Sequence, residues 1–320
     1  MRAVRAFAPA SIGNVSVGFD VLGAALAPTD GRALGDAVVA RPAEQATLTR
    51  TGPFAHLLPD DLSADLVWRA WEGFGAALAR EGREAQPLAL TLEKNLPVGS
   101  GLGSSACSIV AACVAINEAH RPRGGAPPLG EAALLRLMAE LEGGVSGSPH
   151  YDNVAPAFLG GLQLLLDEGD RVCCALPSPD WTLVLTHPGI SISTKAAREV
   201  LPSTYPKATA IEHGRRVGGF VHACHAGDAA LAAQMMVDVL AEPARAPLLP
   251  YLGALRAASA DAGAAATGVS GSGPSVFSVC LDEQTAARVA QAHARFHQSP
   301  IAFTCVCRIG AGARIEELTA

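Results

Sequence analysis

Pro97-Val98-Gly99-Ser100-Gly101-Leu102-Gly103-Ser104-Ser105-Ala106 places three glycines at alternate positions directly ahead of an apolar Ala/Val/Ile run over 106–118. Glycine tolerates positive φ and carries no Cβ, so successive N–H groups of such a loop can converge on an anion. The apolar run reads as a buried helix, whose unpaired first-turn amides and positive dipole end add to the same pocket. Ser104 and Ser105 fall in that first turn, where one hydroxyl can cap the helix and the other can reach a phosphate-bound cation. A dinucleotide fingerprint fits poorly, because Ser104 stands where a third Gly or Ala belongs. A P-loop does not fit either, because no Lys-Ser/Thr follows the glycines.

Outward from this loop, residues 88–92 alternate Leu88, Leu90, Leu92 as a half-buried strand, and 64–80 carries Leu66, Ala70, Phe74 and Leu78 at helical spacing. A short strand is expected over 3–7 and more strand around 35–49, separated by a loop rich in small residues. A helix over 130–142 ends at Gly143-Gly144 and leads into the polar loop Ser146-Gly147-Ser148-Pro149-His150-Tyr151-Asp152-Asn153. Residues 159–166 and 171–176 read as a hairpin and 182–186 as a strand. Helices follow over 194–201, 208–225, 228–241 and 247–262, then strand 275–281, helix 283–296 and strand 302–308. The pattern predicts an α+β chain dividing near residue 170 into domains 1–170 and 171–320, with a cleft between them suited to a small molecule.

Composition narrows the function. Hydrophobic residues make up 49% and charged residues 17%, a balance that suits a packed core. The net charge is −6 and no basic run occurs, which argues against nucleic acid as a partner. The eight cysteines include no C-x-x-C pair and read as reduced thiols packed as small hydrophobes. No secretory signal or membrane-length apolar run stands out, so no membrane partner and a cytoplasmic location are expected.

Two further stretches frame the loop: Pro9-Ala10 through Gly23, and Gly268-Val269-Ser270-Gly271-Ser272-Gly273-Pro274-Ser275. Taken in order with the central loop, they resemble the three motifs of the kinase superfamily that includes galactokinase, homoserine kinase, mevalonate kinase and phosphomevalonate kinase. The resemblance runs from about residue 3 to about 314. It implies an N-terminal ribosomal-protein-S5-like domain that binds the nucleotide, a C-terminal ferredoxin-like domain, and an active-site cleft between the two. It also implies ATP as co-substrate, Mg²⁺ as cofactor and a homodimer.

Within the superfamily, Ser16 to Gly23, His150 to Pro156, Ser193-Thr194-Lys195-Ala196-Ala197-Arg198 and Glu242-Pro243-Ala244-Arg245 resemble homoserine kinases. That likeness implies transfer of the ATP γ-phosphate to L-homoserine in threonine biosynthesis. A sibling kinase for another small alcohol and a catalytically silent ligand sensor are the alternatives. The ligand's chemistry agrees: a zwitterion needs an anion for its ammonium, available in Asp20 with Asn14. It also needs cations for its carboxylate, available in Arg198 and Arg245.

The resemblance places His150 and Asn153 beside the amino acid and Thr194 at the γ-phosphate. It places residues 97–106 with Cys107, Lys94 and Asp65 on ATP. Ser105 and Glu142 match its magnesium ligands, with Glu140 as the alternative acid. The chain departs from the homoserine kinase pattern at Asp65, where Asn is usual; a carboxylate cannot donate as an amide does.

Overall fold

The computed structural model describes residues 2–146, 149–168 and 171–318. The chain begins with β1 (Val4–Pro9), β2 (Ser11–Gly13), β3 (Leu22–Pro28), β4 (Gly35–Pro42) and β5 (Thr47–Thr51). Helix α1 (Leu66–Ala79), β6 (Leu88–Glu93), α2 (Ser104–Ala119), α3 (Glu131–Ser146) and α4 (Val154–Leu159) come next. They are followed by the hairpin of β7 (Leu162–Glu168) and β8 (Arg171–Leu176), then β9 (Thr182–His187). The remainder runs α5 (Thr194–Glu199), α6 (Lys207–Ala226), α7 (Ala229–Met235), α8 (Glu242–Arg245), α9 (Leu252–Asp261), β10 (Ala266–Val269), β11 (Val276–Cys280), α10 (Glu283–His293), β12 (Phe303–Ile309) and β13 (Arg314–Glu317).

Two sheets organise these elements. The first has the order β13-β1-β4-β6-β5, antiparallel except for the parallel pair β5–β6. The second runs β10-β11-β9-β12-β3-β7-β8, with β2 paired to β3. Both sheets cross the expected division at residue 170. Strand β13 closes the first sheet against β1, and β3 and β7 belong to the second. Backbone pairing is the reason: an unpaired edge strand leaves its N–H and C=O groups open, and the last strand covers that of β1. Gly169 and Asp170, on which the expected boundary falls, lie outside the described residues, as do Gly147 and Ser148 of the polar loop.

Alternation makes β6 a one-sided strand, with Leu88, Leu90 and Leu92 buried and the residues between them partly exposed. Helix α1 buries Ala70, Phe74 and Leu78 as their spacing predicts, but Val67 takes the place of the expected Leu66, which is only partly buried. Helix α2 is apolar all round because it is covered all round; every residue from Ala106 to Ala119 is buried against the first sheet and α1 and α3.

Three expectations are corrected. The helix expected over 228–241 stops at Met235, because the Asp238 carboxylate accepts from the backbone amides of Leu240, Ala241 and Glu242 at 2.8–3.0 Å. Those amides are then lost to a continuous helix. The helix expected over 247–262 starts only at Leu252, because Pro247 and Pro250 interrupt it. Strands β2, β3, β10 and β13 and helices α4 and α8 were not expected at all, being short or set in small-residue stretches. All eight cysteines are free thiols.

Candidate active site

A cavity of about 520 Å³ is lined by segments drawn from along the chain between Asn14 and Ser272. Its floor is the glycine loop. Gly99, Gly101 and Gly103 all have positive φ (67°, 75° and 65°). The loop is pinned from outside, where Ile192 N donates to Gly99 O at 3.0 Å and Ser275 N to Ser100 O at 3.1 Å. Ser270 Oγ donates to Gly101 O at 2.6 Å. The third glycine stretch is therefore a clasp on the second, a role its reading as an isolated turn would miss.

Helix α2 starts from Gly103 with no side-chain cap. The expected serine cap is thus absent, because both hydroxyls are spent elsewhere. Ser104 Oγ accepts from Lys94 Nζ at 2.6 Å, and Ser105 Oγ donates to Glu142 Oε1 at 2.6 Å. The first-turn amides are left for an anion. Glu142 reaches the cavity from α3, whereas Glu140 lies on the exposed face of that helix. Burial pushes the Glu142 carboxyl above the usual range, against the pull of Ser105 and Lys94.

Of the residues expected on ATP, Val98, Gly99, Ser100, Gly101, Gly103, Ser104, Ser105, Lys94 and Asp65 line this cavity; Pro97, Leu102, Ala106 and Cys107 do not. Leu102, Ala106 and Cys107 are fully buried in the two main cores, and Cys107 Sγ contacts Pro9 O at 2.9 Å. A loop that turns at every second residue sends alternate side chains inward to anchor it.

Asp65 caps α1 by accepting from Val67 N at 2.8 Å and Trp68 N at 3.4 Å, and its other oxygen pairs with Arg50 at 2.8 Å. The carboxylate is thus matched by a cation that an Asn would not need. Around it, Leu57, Leu58, Pro59, Ala64, Leu66 and Val67 form an apolar wall.

Across the loop stands a charged cluster. Asn14, Val15, Ser16 and Asp20 all hold positive φ, a conformation costly for residues with side chains. Asn14 secures it: its Oδ1 accepts from Asp20 N at 2.8 Å and its Nδ2 donates to Gly271 O at 3.3 Å. Asp20 is met by Arg198 through both oxygens, at 3.1 and 3.4 Å. Arg198 also donates to His150 Nδ1 at 3.3 Å, and burial followed by the Arg198 charge lowers the His150 pKa. Arg245 is only 4% exposed, donating to Ala197 O and Gly271 O and lying 5.4 Å from the Phe19 ring centre. Asn153 Oδ1 accepts from Ser11 Oγ at 2.9 Å, and Thr194 enters from the start of α5. Asn14, Asp20, His150, Asn153, Thr194, Arg198 and Arg245 therefore share one cavity with the glycine loop.

Residues 65–161 match the family described as GHMP kinases N terminal domain, and 220–298 the one described as GHMP kinases C terminal. A homoserine kinase from Cytophaga hutchinsonii is 32% identical with a TM-score of 0.85, the match covering 99% of this chain and 98% of that one. The chain belongs to the GHMP kinases. Its fold is the two-domain fold of that family, and it is an ATP-binding phosphotransferase. L. major mevalonate kinase in complex with R-mevalonate (15% identity, TM-score 0.68, 96% of each chain) shares the fold. So does Lactococcus lactis galactokinase complexed with galactose (17%, 0.67, 98% of this chain and 95% of that one). In this GHMP kinase no helix among the described residues is long and apolar enough to cross a membrane.

The sequence reading missed Asp152. It lines the cavity between His150 and Asn153, is 8% exposed, and accepts from the Asn153 side-chain amide at 3.2 Å. Burial, then the charges of Asp20 and Glu142, push its carboxyl up to about 7, with Arg198 opposing. Its flank of matching residues was the one available signal. In the unfolded chain such a carboxyl loses its proton near pH 4, roughly. Between there and pH 7 the fold binds the extra proton, so stability falls as pH rises through that window. Asp152→Asn removes this loss. The Tm difference between variant and wild type, both ligand-free, should therefore grow in the variant's favour from pH 5 to pH 8. A difference independent of pH would show that Asp152 ionises normally.

Proposed function

We propose that this GHMP kinase is a homoserine kinase, transferring the γ-phosphoryl group of ATP to the hydroxyl of L-homoserine. The observation that carries the reading is one wall of the cavity, on which a carboxylate (Asp20) and two guanidinium groups (Arg198, Arg245) stand within reach of the glycine loop. A zwitterion matches both signs of charge there, whereas mevalonate or a sugar brings no cation of its own to Asp20 in exchange for Arg198. The 32% identity to a homoserine kinase over nearly the whole chain supports the same acceptor. Threonine biosynthesis in the cytoplasm is the setting such a reaction implies, and a homodimer is the assembly the family resemblance implies.

In this reading the Asp20–Arg198 pair is the ligand-free arrangement of the acceptor site. An incoming ammonium takes the Asp20 carboxylate and the substrate carboxylate takes the guanidinium groups, so neither charge is left unmatched. The loop amides and the open start of α2 hold the phosphates. His150 is neutral, because Nδ1 accepts from Arg198 and so carries no proton, which leaves Nε2–H as a donor. Asn153, fixed through Ser11, is placed to orient the acceptor hydroxyl. Loose phosphoryl transfer asks chiefly for such positioning.

Ser105 Oγ and Glu142 Oε1, 2.6 Å apart at the mouth of α2, are the hard oxygen donors that Mg²⁺ prefers. These two residues would hold Mg²⁺. When bound, the ion supplies positive charge against the terminal phosphates.

An ADP-release assay with L-homoserine, mevalonate, galactose and shikimate, each with and without Mg²⁺, tests the assignment. Mg²⁺-dependent turnover with L-homoserine well above the others is expected. Turnover on another alcohol alone would move the acceptor to a sibling kinase's substrate, and ATP binding with no turnover would mark a silent sensor.

A further inference from the structure

Lys94 follows β6 immediately and is 1% exposed. Its ammonium is paired with Asp36 and lies 2.9 Å from Ser104 O, 2.6 Å from Ser104 Oγ and 3.1 Å from Ser108 Oγ. An ammonium has three protons. Four acceptors already surround it, so no N–H is left to aim at a phosphate.

Asp36 on β4 is fully buried and equally occupied. Its Oδ1 accepts from Asn95 N at 2.8 Å and Leu96 N at 3.0 Å, and its Oδ2 accepts from Ser108 Oγ at 2.8 Å and from Lys94. The two charges thus tie together the strand behind the site, the entrance of the glycine loop at 95–96, and the first two turns of α2. Ser105, whose hydroxyl meets Glu142, is the next residue after the one Lys94 grips.

We infer that Lys94 and Asp36 are positioning residues for the phosphate loop. The pair locks the first turn of α2 against the loop entrance and sets where the loop amides and Ser105 Oγ stand, while the ammonium does not touch the nucleotide. This replaces the sequence expectation that Lys94 binds ATP directly. The inference rests on the glycine loop being the ATP phosphate site, and not on which alcohol accepts the phosphoryl group.

Removing one partner of a buried pair strands the other charge, whereas removing both with isosteric neutral groups is far less disruptive. A double-mutant cycle therefore separates the roles. Lys94→Met, Asp36→Asn and the double variant are compared with wild type for Tm, for ATP affinity by calorimetry, and for kcat and both KM values. Each single variant is expected to lose stability, about 10-fold in ATP affinity and about 100-fold in kcat, with the double variant no worse than either single one. In the double variant Tm should return close to wild type while kcat stays at least about 10-fold down and the acceptor KM moves less than about twofold.

A kcat fully restored in the double variant would reduce the pair to a structural salt bridge. A loss of ATP affinity in Lys94→Met that Asp36→Asn does not share would make Lys94 a phosphate ligand. Either result overturns the inference. Should the single variants fail to fold, Ser108→Ala, which removes a hydroxyl and no charge, is expected to fold with a modest fall in Tm and to lower kcat about fivefold; an unchanged kcat there counts against positioning. The calorimetric arm needs no acceptor, so a wild-type protein inert toward L-homoserine would sink the substrate assignment and leave this test standing.

Discussion

Arg245→Ala should raise the KM for L-homoserine roughly 100-fold while moving the KM for ATP less than about twofold. The side chain is held in place before any ligand arrives. Its Nε donates to Ala197 O at 3.0 Å, one Nη1 proton goes to Gly271 O at 3.2 Å, and Phe19 backs the guanidinium plane. Five N–H groups less these two leave a fork available to a carboxylate in the cavity. Because the group is already buried and ordered, little freedom is lost when the ligand binds, and its removal forfeits a charge-assisted bidentate contact in a dry place.

Arg245→Lys should rescue little, since an ammonium cannot present two parallel donors. Arg198→Ala is a different case. It frees Asp20 from its partner as well as deleting a cation, so the ammonium end of the ligand gains part of what the carboxylate end loses. Equal damage to both substrates' KM values in Arg245→Ala would mean that the arginine shapes the cleft as a whole and does not recognise the acceptor.

What the sequence made legible was chemistry with a strict local requirement. Positive φ at Gly99, Gly101 and Gly103 follows from spacing alone, as does the buried helix behind them. The alternation of β6 and the stripe on α1 follow from periodicity. The charged residues of the acceptor wall were legible because their motifs were, although their mutual pairing was not. Nothing in the spacing of Asp20 and Arg198 says that they meet, 178 positions apart.

Long-range pairing explains the other omissions. Strands β3 and β13 earn their place from partners far along the chain, and β13, only four residues long, is recognised by β1 and by no pattern of its own. Asp36 is a single acid in unremarkable surroundings and Asp152 one acid inside a matching stretch, and only the fold gives the first four donors and the second a raised pKa. Pro97, Leu102, Ala106 and Cys107 lie outside the cavity lining, because part of a tight loop and of the helix behind it faces the core and keeps the rest in place.

Gly101→Ala should lower kcat/KM for ATP at least about 1000-fold, with a measurable fall in Tm. The residue has φ 75°, and a Cβ there would stand 2.6 Å from Gly273 O and 2.7 Å from both Gly273 C and Ser270 O. These are backbone atoms of the clasp, which cannot swing aside as a flexible side chain can. The Ser270 hydroxyl bonded to Gly101 O holds the two stretches at that spacing. Relief therefore has to come from the loop moving off the clasp, which carries the amides that hold the phosphates away with it, and an ångström of such movement costs about 100-fold by itself. Positive φ adds roughly another 1 kcal/mol against alanine. Gly253→Ala, on α9 with nothing within 4 Å of a new Cβ, is the matched control and should leave activity intact while raising stability slightly. If Gly101→Ala kept more than about a tenth of wild-type activity, the contact between the second and third glycine stretches would not be what fixes the phosphate cradle.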